Sequence, residues 1–382
     1  MKAYPYLSFS ALQAYAGKQI FRARSAQGGQ VFRKERLLWT TMSTFSYRSG
    51  IFIIVSILLQ AILSPEVGQA QTPNFYRIGT GETSDSVFVM GAVLAGALSN
   101  PPGAPTCEQG GNCGVPGLVV VTQSSAGSMA NAKAVAEGRI DAGLVQADVA
   151  ARAYQGRGMR APLRDLRTVT EFYIAKVHVV VRADSRITKI ADLAGKRIAV
   201  GEVDSGSDMA ADAMIEAYRL PVGRIKRFNV RLVKAAEMLA KNEVDALITV
   251  ENEPAPAITE LAGKLPIRLL PIQGKEAQAW ATQHIAYMPQ RIESGIYPGV
   301  GAVPTLGVGI LWVVNAKASP VLVESLTAAF WSAKTRATLQ MGRAKMTFAN
   351  FETVTYRVTA PLHPGAVKFY RNRGLAVTPA PD

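Results

Sequence analysis

With 382 residues the chain is long enough for two domains with separate cores. Its 48% apolar and 18% charged residues exclude global disorder. The formal charge of +14 is inflated by the basic residues before position 70, and the moderate basic excess of the rest favours anionic ligands or an anionic membrane surface. No basic stripe interleaved with aromatics and no nucleic-acid motif accompanies it, so nucleic acid is not expected as a partner.

The first informative segment is "SYRSGIFIIVSILLQAILSPEVGQAQT". Arg48 precedes a largely apolar run of thirteen residues, Ile51 to Leu63, and small residues follow at Gly68 and Ala70. A basic flank, a short apolar core and a small-residue exit predict a secretory signal peptide over 42–70, because such a run is short for a permanent bilayer span. Residues 1–41 fit poorly in front of a signal. They are expected to be an upstream extension, with translation starting at Met42, or a disordered segment.

Two cysteines follow, Cys107 and Cys113, inside "NPPGAPTCEQGGNCGVPG". In an exported chain they predict a local disulfide that shapes a surface loop. Two thiols without a nearby His or third Cys are too few for a metal, and neither a metal nor a cofactor is expected.

From residue 75 the pattern is that of alternating strands and helices. "FYRIGTG" is a strand running into Gly79 and Gly81, and "DSVFVMGAVLAGALSN" carries apolar residues at helical spacing. Leu118–Val121 is a strand, a helix starts at about Ser128, and "IDAGLVQAD" is a third strand. The order then restarts. Val177–Val181 and Arg197–Val200 are strands, Ile190–Leu193 is a helical turn, and a helix covers about Asp208 to Tyr218. "VKAAEMLAKNEVDALITV" supplies a further helix and strand. "RIGTG" thus returns as "RIAVG", and the Asp-Ala pair at Asp141 returns at Asp245. Two copies of a strand–helix–strand–helix–strand unit predict two α/β lobes, each a mostly parallel sheet flanked by helices.

In such sheets the strand-to-helix loops lie at the carboxyl ends of the strands, where ligands bind. Helix N-termini there present unpaired N–H groups and partial positive charge. Ser125 and Ser128 in the first lobe, and Ser205 and Ser207 in the second, are placed at matched topological positions and are expected to grip one carboxylate from two sides. Capping the helices is the plainer role for each serine. No phosphate loop, dinucleotide fingerprint or nucleophile elbow is present. The three histidines, His178, His284 and His363, lack metal-ligand spacing. Binding without turnover is expected, and no catalytic residue is assigned.

At "VTQSSAGSMANAKAVAEGRIDAGLVQADVA", "VHVVVRADSRITKIADLAGKRIAVGEVDSGS", "YPGVGAVPTLGVGILWVVNA" and the closing "HPGAVKFYRNRG", the chain resembles the TAXI family. These are the extracytoplasmic solute-binding proteins associated with TRAP transporters. The similarity extends over about 74–374. It implies a two-lobed type II periplasmic binding protein, located in the periplasm, with a ligand cleft between the lobes and two crossover segments. Lobe one would then take 74–177, lobe two 178–299, and 300–382 would return to lobe one and end in helices. It further implies a monomer that delivers a small organic anion (dicarboxylate, keto acid or acidic amino acid) to TRAP membrane subunits. By position it assigns ligand contacts to Thr80, Gly81, Thr83 and Ser84, then to Ser125, Ser128 and Asn131. Gln146, Asp148, Tyr173 and the loop of Ser205, Gly206 and Ser207 complete the set.

One departure bears on the ligand. The first loop reads "GETSDSVF", so Glu82 and Asp85 stand where an anion would be held, and Asp204 adds an acid near the second loop. Like charges at short range disfavour a carboxylate, which leaves an amine-bearing ligand open. Two alternatives to the transport receptor are a sensor or the receptor of an ATP-driven importer, and a secreted enzyme. The enzyme would need Glu82, Asp85 or Glu251 to meet His284.

Overall fold

The structure, a computed structural model, describes residues 74–377 apart from 285, 342–346 and 356–357. The expected signal peptide and the segment before it lie outside the described residues. The described residues fall in one compact unit. The first half runs β1 (Asn74–Gly79), α1 (Ser86–Leu98), β2 (Ser99–Asn100), β3 (Val115–Pro116), β4 (Leu118–Gln123), α2 (Ser128–Ala136), β5 (Ala142–Gln146) and α3 (Ala147–Gln155). The second runs β6 (Leu166–Arg182), β7 (Arg197–Val200), α4 (Gly206–Ala217), β8 (Lys226–Asn229), α5 (Leu232–Ala240) and β9 (Ala246–Glu251). It continues with α6 (Pro256–Lys264), β10 (Ile267–Leu269), α7 (Gly274–Gln283) and β11 (Tyr287–Ile292). The chain then returns through β12 (Val303–Asn315), α8 (Pro320–Trp331), α9 (Ala333–Gln340), β13 (Thr347–Phe348) and α10 (Pro364–Asn372). Among the described residues no helix is long and apolar enough to cross a membrane.

The expected two-lobed α/β fold is present. The first lobe orders its strands β4-β1-β5-β12 and the second β8-β7-β9-β6. In each, the first three strands are parallel and the fourth is antiparallel to its neighbour. The lobes join where β12 and β6 pair antiparallel, from Gly307–Lys176 to Asn315–Leu166, with two register shifts between Ile310 and Val313.

β6 is much longer than the strand expected over Val177–Val181. Glu171 and Lys176 interrupt its apolar pattern in sequence, yet both are buried. Lys176 is paired with Glu253, and its Nζ also donates to the Arg291 carbonyl at 2.7 Å. An ion pair buried at the strand's midpoint is tolerated because both charges keep partners.

The repeated Asp-Ala pair has a physical cause. Gly138 and Asn242 both take positive φ, 71° and 58°, just past α2 and α5. The next N–H folds back in each case, Arg139 to the Ala134 carbonyl and Glu243 to the Met238 carbonyl, both at 2.8 Å. Glycine and asparagine are the residues that accept this left-handed helix end. Two residues on, Asp141 Oδ2 accepts from the Arg77 backbone N–H at 2.8 Å and from its Nε at 3.1 Å. Asp245 Oδ2 does the same for Arg197 at 2.8 and 3.2 Å, and its Oδ1 accepts from Nη2 at 2.8 Å. Each clasp sets the parallel register that follows, Ile78 with Ala142 and Ile198 with Ala246.

The Cys107–Cys113 disulfide is formed and closes part of the loop between β2 and β3. Asn112 Nδ2 ties that loop to the Gly96 carbonyl at the end of α1, and Lys334 Nζ of α9 donates to the carbonyls of Gly110 and Gly111.

Removing either clasp strips a backbone N–H of a charged acceptor. Asp141→Ala and Asp245→Ala should each lower unfolding stability by about 1–2 kcal/mol, the low end for bonds to charged groups because both are partly exposed. Urea denaturation measures this, and an unchanged midpoint in both variants would remove the clasp from the account.

Candidate functional site

Four helix N-termini converge where the lobes meet, and a cavity of about 90 Å³ lies between them. A single water needs about 10–15 Å³ on that measure, so the space holds about half a dozen waters or one small solute. Its floor is Tyr173, Ala175 and Ile310 of the crossover strands. Its walls are the loops that follow β1, β4, β7 and β8 together with the end of β9, all at strand carboxyl ends as the fold class requires.

Most of the residues expected at the site do gather here. Thr80, Gly81, Ser128, Gln146, Tyr173, Ser205, Gly206 and Ser207 line the cavity. Thr83, Ser84 and Ser125 line a second hollow on its outer side. Asn131 does not reach the cavity. It is fully buried, and its Nδ2 donates to the carbonyls of Thr80 and Leu144, holding the first loop in place. Asp148 also lies elsewhere, where its Oδ2 accepts from the Tyr287 hydroxyl at 2.7 Å.

The serine hydroxyls work first within the protein. Ser128 Oγ accepts from the Gln146 N–H at 3.1 Å, Ser205 Oγ caps α4 through the Asp208 N–H at 3.2 Å, and Ser207 Oγ accepts from the Val250 N–H at 3.0 Å. The expected matching of the two serine loops needs correction. The loop before α4 corresponds to the loop before α1. Both close the same turn, from the Asp85 N–H to the Glu82 carbonyl and from the Ser205 N–H to the Glu202 carbonyl, each at 2.9 Å. The loop before α2 corresponds instead to Val230–Arg231 before α5, because strand order and not serine content sets the equivalence.

The lobes touch at several points. Glu251, at the end of β9, reaches across so that its Oε2 accepts from the Ser86 N–H at 3.2 Å and from the Ser86 hydroxyl, while Ser86 Oγ accepts from the Asn252 N–H at 3.0 Å. The second lobe thus supplies the carboxyl that caps α1 of the first. In the opposite direction the Gln146 amide lies over Gly206 at the start of α4, where any Cβ would collide with it. At the rim Arg231 Nε is 2.5 Å from Glu82 Oε1 and 3.2 Å from Glu202 Oε1. Lys133 pairs with Asp204 at 3.7 Å, and this largely exposed acid does not line the cavity.

Sequence reasoning named Glu251 only as an acid that an enzyme would need beside His284, and it missed Ser86, Glu202 and Arg231. Of these only Glu202 had a signal, the recurrence of "RIGTG" as "RIAVG" that carries Glu82 onto Glu202. The histidines lie outside the cavity. His178 is buried between the Lys176 carbonyl and the Tyr297 hydroxyl, His363 caps α10, and His284 stacks edge-on to Tyr287. The acid–histidine meeting that an enzyme would need is therefore not assembled.

Among the described residues, four carboxyls, Glu82, Asp85, Glu202 and Glu251, line the cavity, against Arg231 as the single basic side chain. Burial first, then the charge of Asp85, pushes the Glu251 carboxyl up to about 8. Burial first, then Glu202, pushes Glu82 up to about 7, and burial pushes Asp85 up to about 6.

The profile of the NMT1-like family matches residues 78–374. Among solved structures, a protein of Bordetella bronchiseptica RB50 is similar with a TM-score of 0.50 at 14% identity, over 78% of this chain and 98% of that one. A TctC solute-binding protein from Polaromonas gives a TM-score of 0.44 at 17% identity, over 72% and 90%. The periplasmic aliphatic sulphonate-binding protein of Escherichia coli gives 0.41 at 17% identity, over 81% and 96%. At these identities the likeness is one of fold.

Acids whose folded pKa exceeds the unfolded value, about 4.3 for Glu, bind more protons in the native state, so stability is lost as pH rises through the folded pKa. His178, pushed down to about 4 by burial, and His363, lowered by burial, are neutral in both states above about pH 6.5 and add no slope there. The melting temperature should therefore fall between about pH 6.5 and pH 8 and level off above, and Glu251→Gln should flatten that fall. Equal slopes in the two proteins, measured by scanning fluorimetry, would contradict a protonated Glu251.

Proposed function

The chain belongs to the NMT1-like family, and from that membership we propose that it is an extracytoplasmic solute receptor serving a membrane transporter. The observation that carries this is the small cavity at the meeting of four helix N-termini, enclosed by two lobes and floored by the strands that join them. β6 and β12 form the hinge. A solute that contacts both lobes binds the closed state better than the open one, and so shifts the population toward closure.

In this proposal export by a signal peptide over 42–70 places the mature chain in the periplasm, and residues 1–41 precede it. Lobe one takes 74–177 and 300–382, and lobe two takes 178–299. The closed form docks on TRAP-type membrane subunits, the partner that the TAXI resemblance implies. The solute is a small organic acid whose carboxylate meets the N–H groups at the starts of α2 and α4, beside Ser128 and Ser205. Thr80, Gly81, Gln146 and Tyr173 complete its surroundings. Thr83, Ser84 and Ser125 act at the outer rim.

A ligand selective for the native state raises stability by about 2.7 kcal/mol when present at roughly a hundred times its Kd. A thermal-shift screen of organic acids, amino acids, amines and sugars should therefore give at least one compound that raises the melting temperature by several degrees. Tyr173→Ala should reduce that response. Failure of every class, or turnover of a bound compound, would defeat the receptor assignment.

A further inference from the structure

The cavity's acidity and one unsatisfied amide together define what it accepts. Gln146 is 5% exposed and lines the cavity at the end of β5. Its Oε1 is buried and has no hydrogen-bond partner. A buried acceptor left unpaired forfeits the hydrogen bonds it made to water, so the site is incomplete without a donor. Around it the carboxyls of Asp85 and Glu251 have no basic side chain among the cavity's described lining residues except Arg231. Arg231 is held at the rim by Glu82 and Glu202.

An approaching carboxylate would add one more negative charge to this enclosure and would leave the Gln146 acceptor unmet. A protonated amine reverses both effects. It donates up to three hydrogen bonds and lowers the mutual repulsion of the acids.

We propose that the solute enters with a protonated amine, which is seated between Asp85 and Glu251 and donates to Gln146 Oε1. The proposal rests on the receptor function above and adds a protonated amine to its organic acid, so that zwitterions are taken and dicarboxylates without an amine are refused. Glu82 and Glu202 then act through Arg231, closing the rim rather than touching the amine.

The test is a matched series applied to the purified full chain. Succinate, 4-aminobutyrate, putrescine and erythritol form one set, and glutarate, 5-aminovalerate and cadaverine a longer one. At least one amine-bearing member should raise the melting temperature, while succinate, glutarate and erythritol leave it unchanged. Calorimetric affinity for the responding amine should drop roughly tenfold to a hundredfold in Asp85→Asn and in Gln146→Leu, the range expected for losing a charge-assisted bond or a buried acceptor. Gln146→Leu adds no charge change, which guards against a folding defect in the acid variant.

A response to the dicarboxylates or erythritol alone would overturn the amine assignment and leave the receptor standing. So would unchanged amine affinity in both variants. No response to any member would also overturn it, and a hit elsewhere in the broad screen would then show that receptor function survives.

Discussion

Two strands belong to both halves of the molecule, and that sharing sets the geometry of everything between them. β6 pairs with β12 over its first part and with β9 over its second, while β12 pairs with β11 and then with β5. Neither lobe can complete its sheet without a strand that also completes the other. Antiparallel pairing of two long strands resists sliding but permits a change of twist, and the register shifts between Ile310 and Val313 lie beside the cavity floor. The site is thus built on a joint whose stiffness comes from backbone hydrogen bonds, with the Lys176–Glu253 pair buried against it.

Across that joint the lobes recognise each other by the same chemistry that they would use on a ligand. The start of α1 is capped by Glu251 of the opposite lobe, and the start of α4 is covered by Gln146. A helix start already holding a carboxyl has little left for a second one. Of the four helix starts at the cavity, that of α1 is thus already spent on the protein itself. This division of labour follows from the strand ends, since Gln146 ends β5 and Glu251 ends β9.

Much of this was legible in the sequence. The alternating strands and helices, the repeat and the loops at strand ends gave the lobes and most of the cavity lining. The recurrence of "RIGTG" as "RIAVG" and of Asp141 as Asp245 pointed to duplicated structure, although its cause, an aspartate holding an arginine backbone N–H, needs coordinates to see. Two features were hidden. The length of β6 was masked by Glu171 and Lys176, charges that look like a strand end until their buried partners are known. The interlobe contacts of Glu251 and Arg231 join residues far apart in sequence, and no periodicity marks them. Serine content misled in a different way, by suggesting that Ser125–Ser128 and Ser205–Ser207 were counterparts when strand order pairs each with another loop.

The matching strand order gives the molecule an approximate twofold relation, under which Glu82 falls on Glu202, Gly81 on Gly201 and Asp141 on Asp245. A solute near that pseudo-axis meets the same backbone twice, and an identical backbone cannot tell one end of a molecule from the other. Discrimination then resides in the mismatches between equivalent positions, where Ser86 answers to Gly206, Gln146 to Val250, Ala147 to Glu251 and Gly127 to Arg231. The duplicated part makes an enclosure, and the few positions that broke the duplication give the enclosure a polarity.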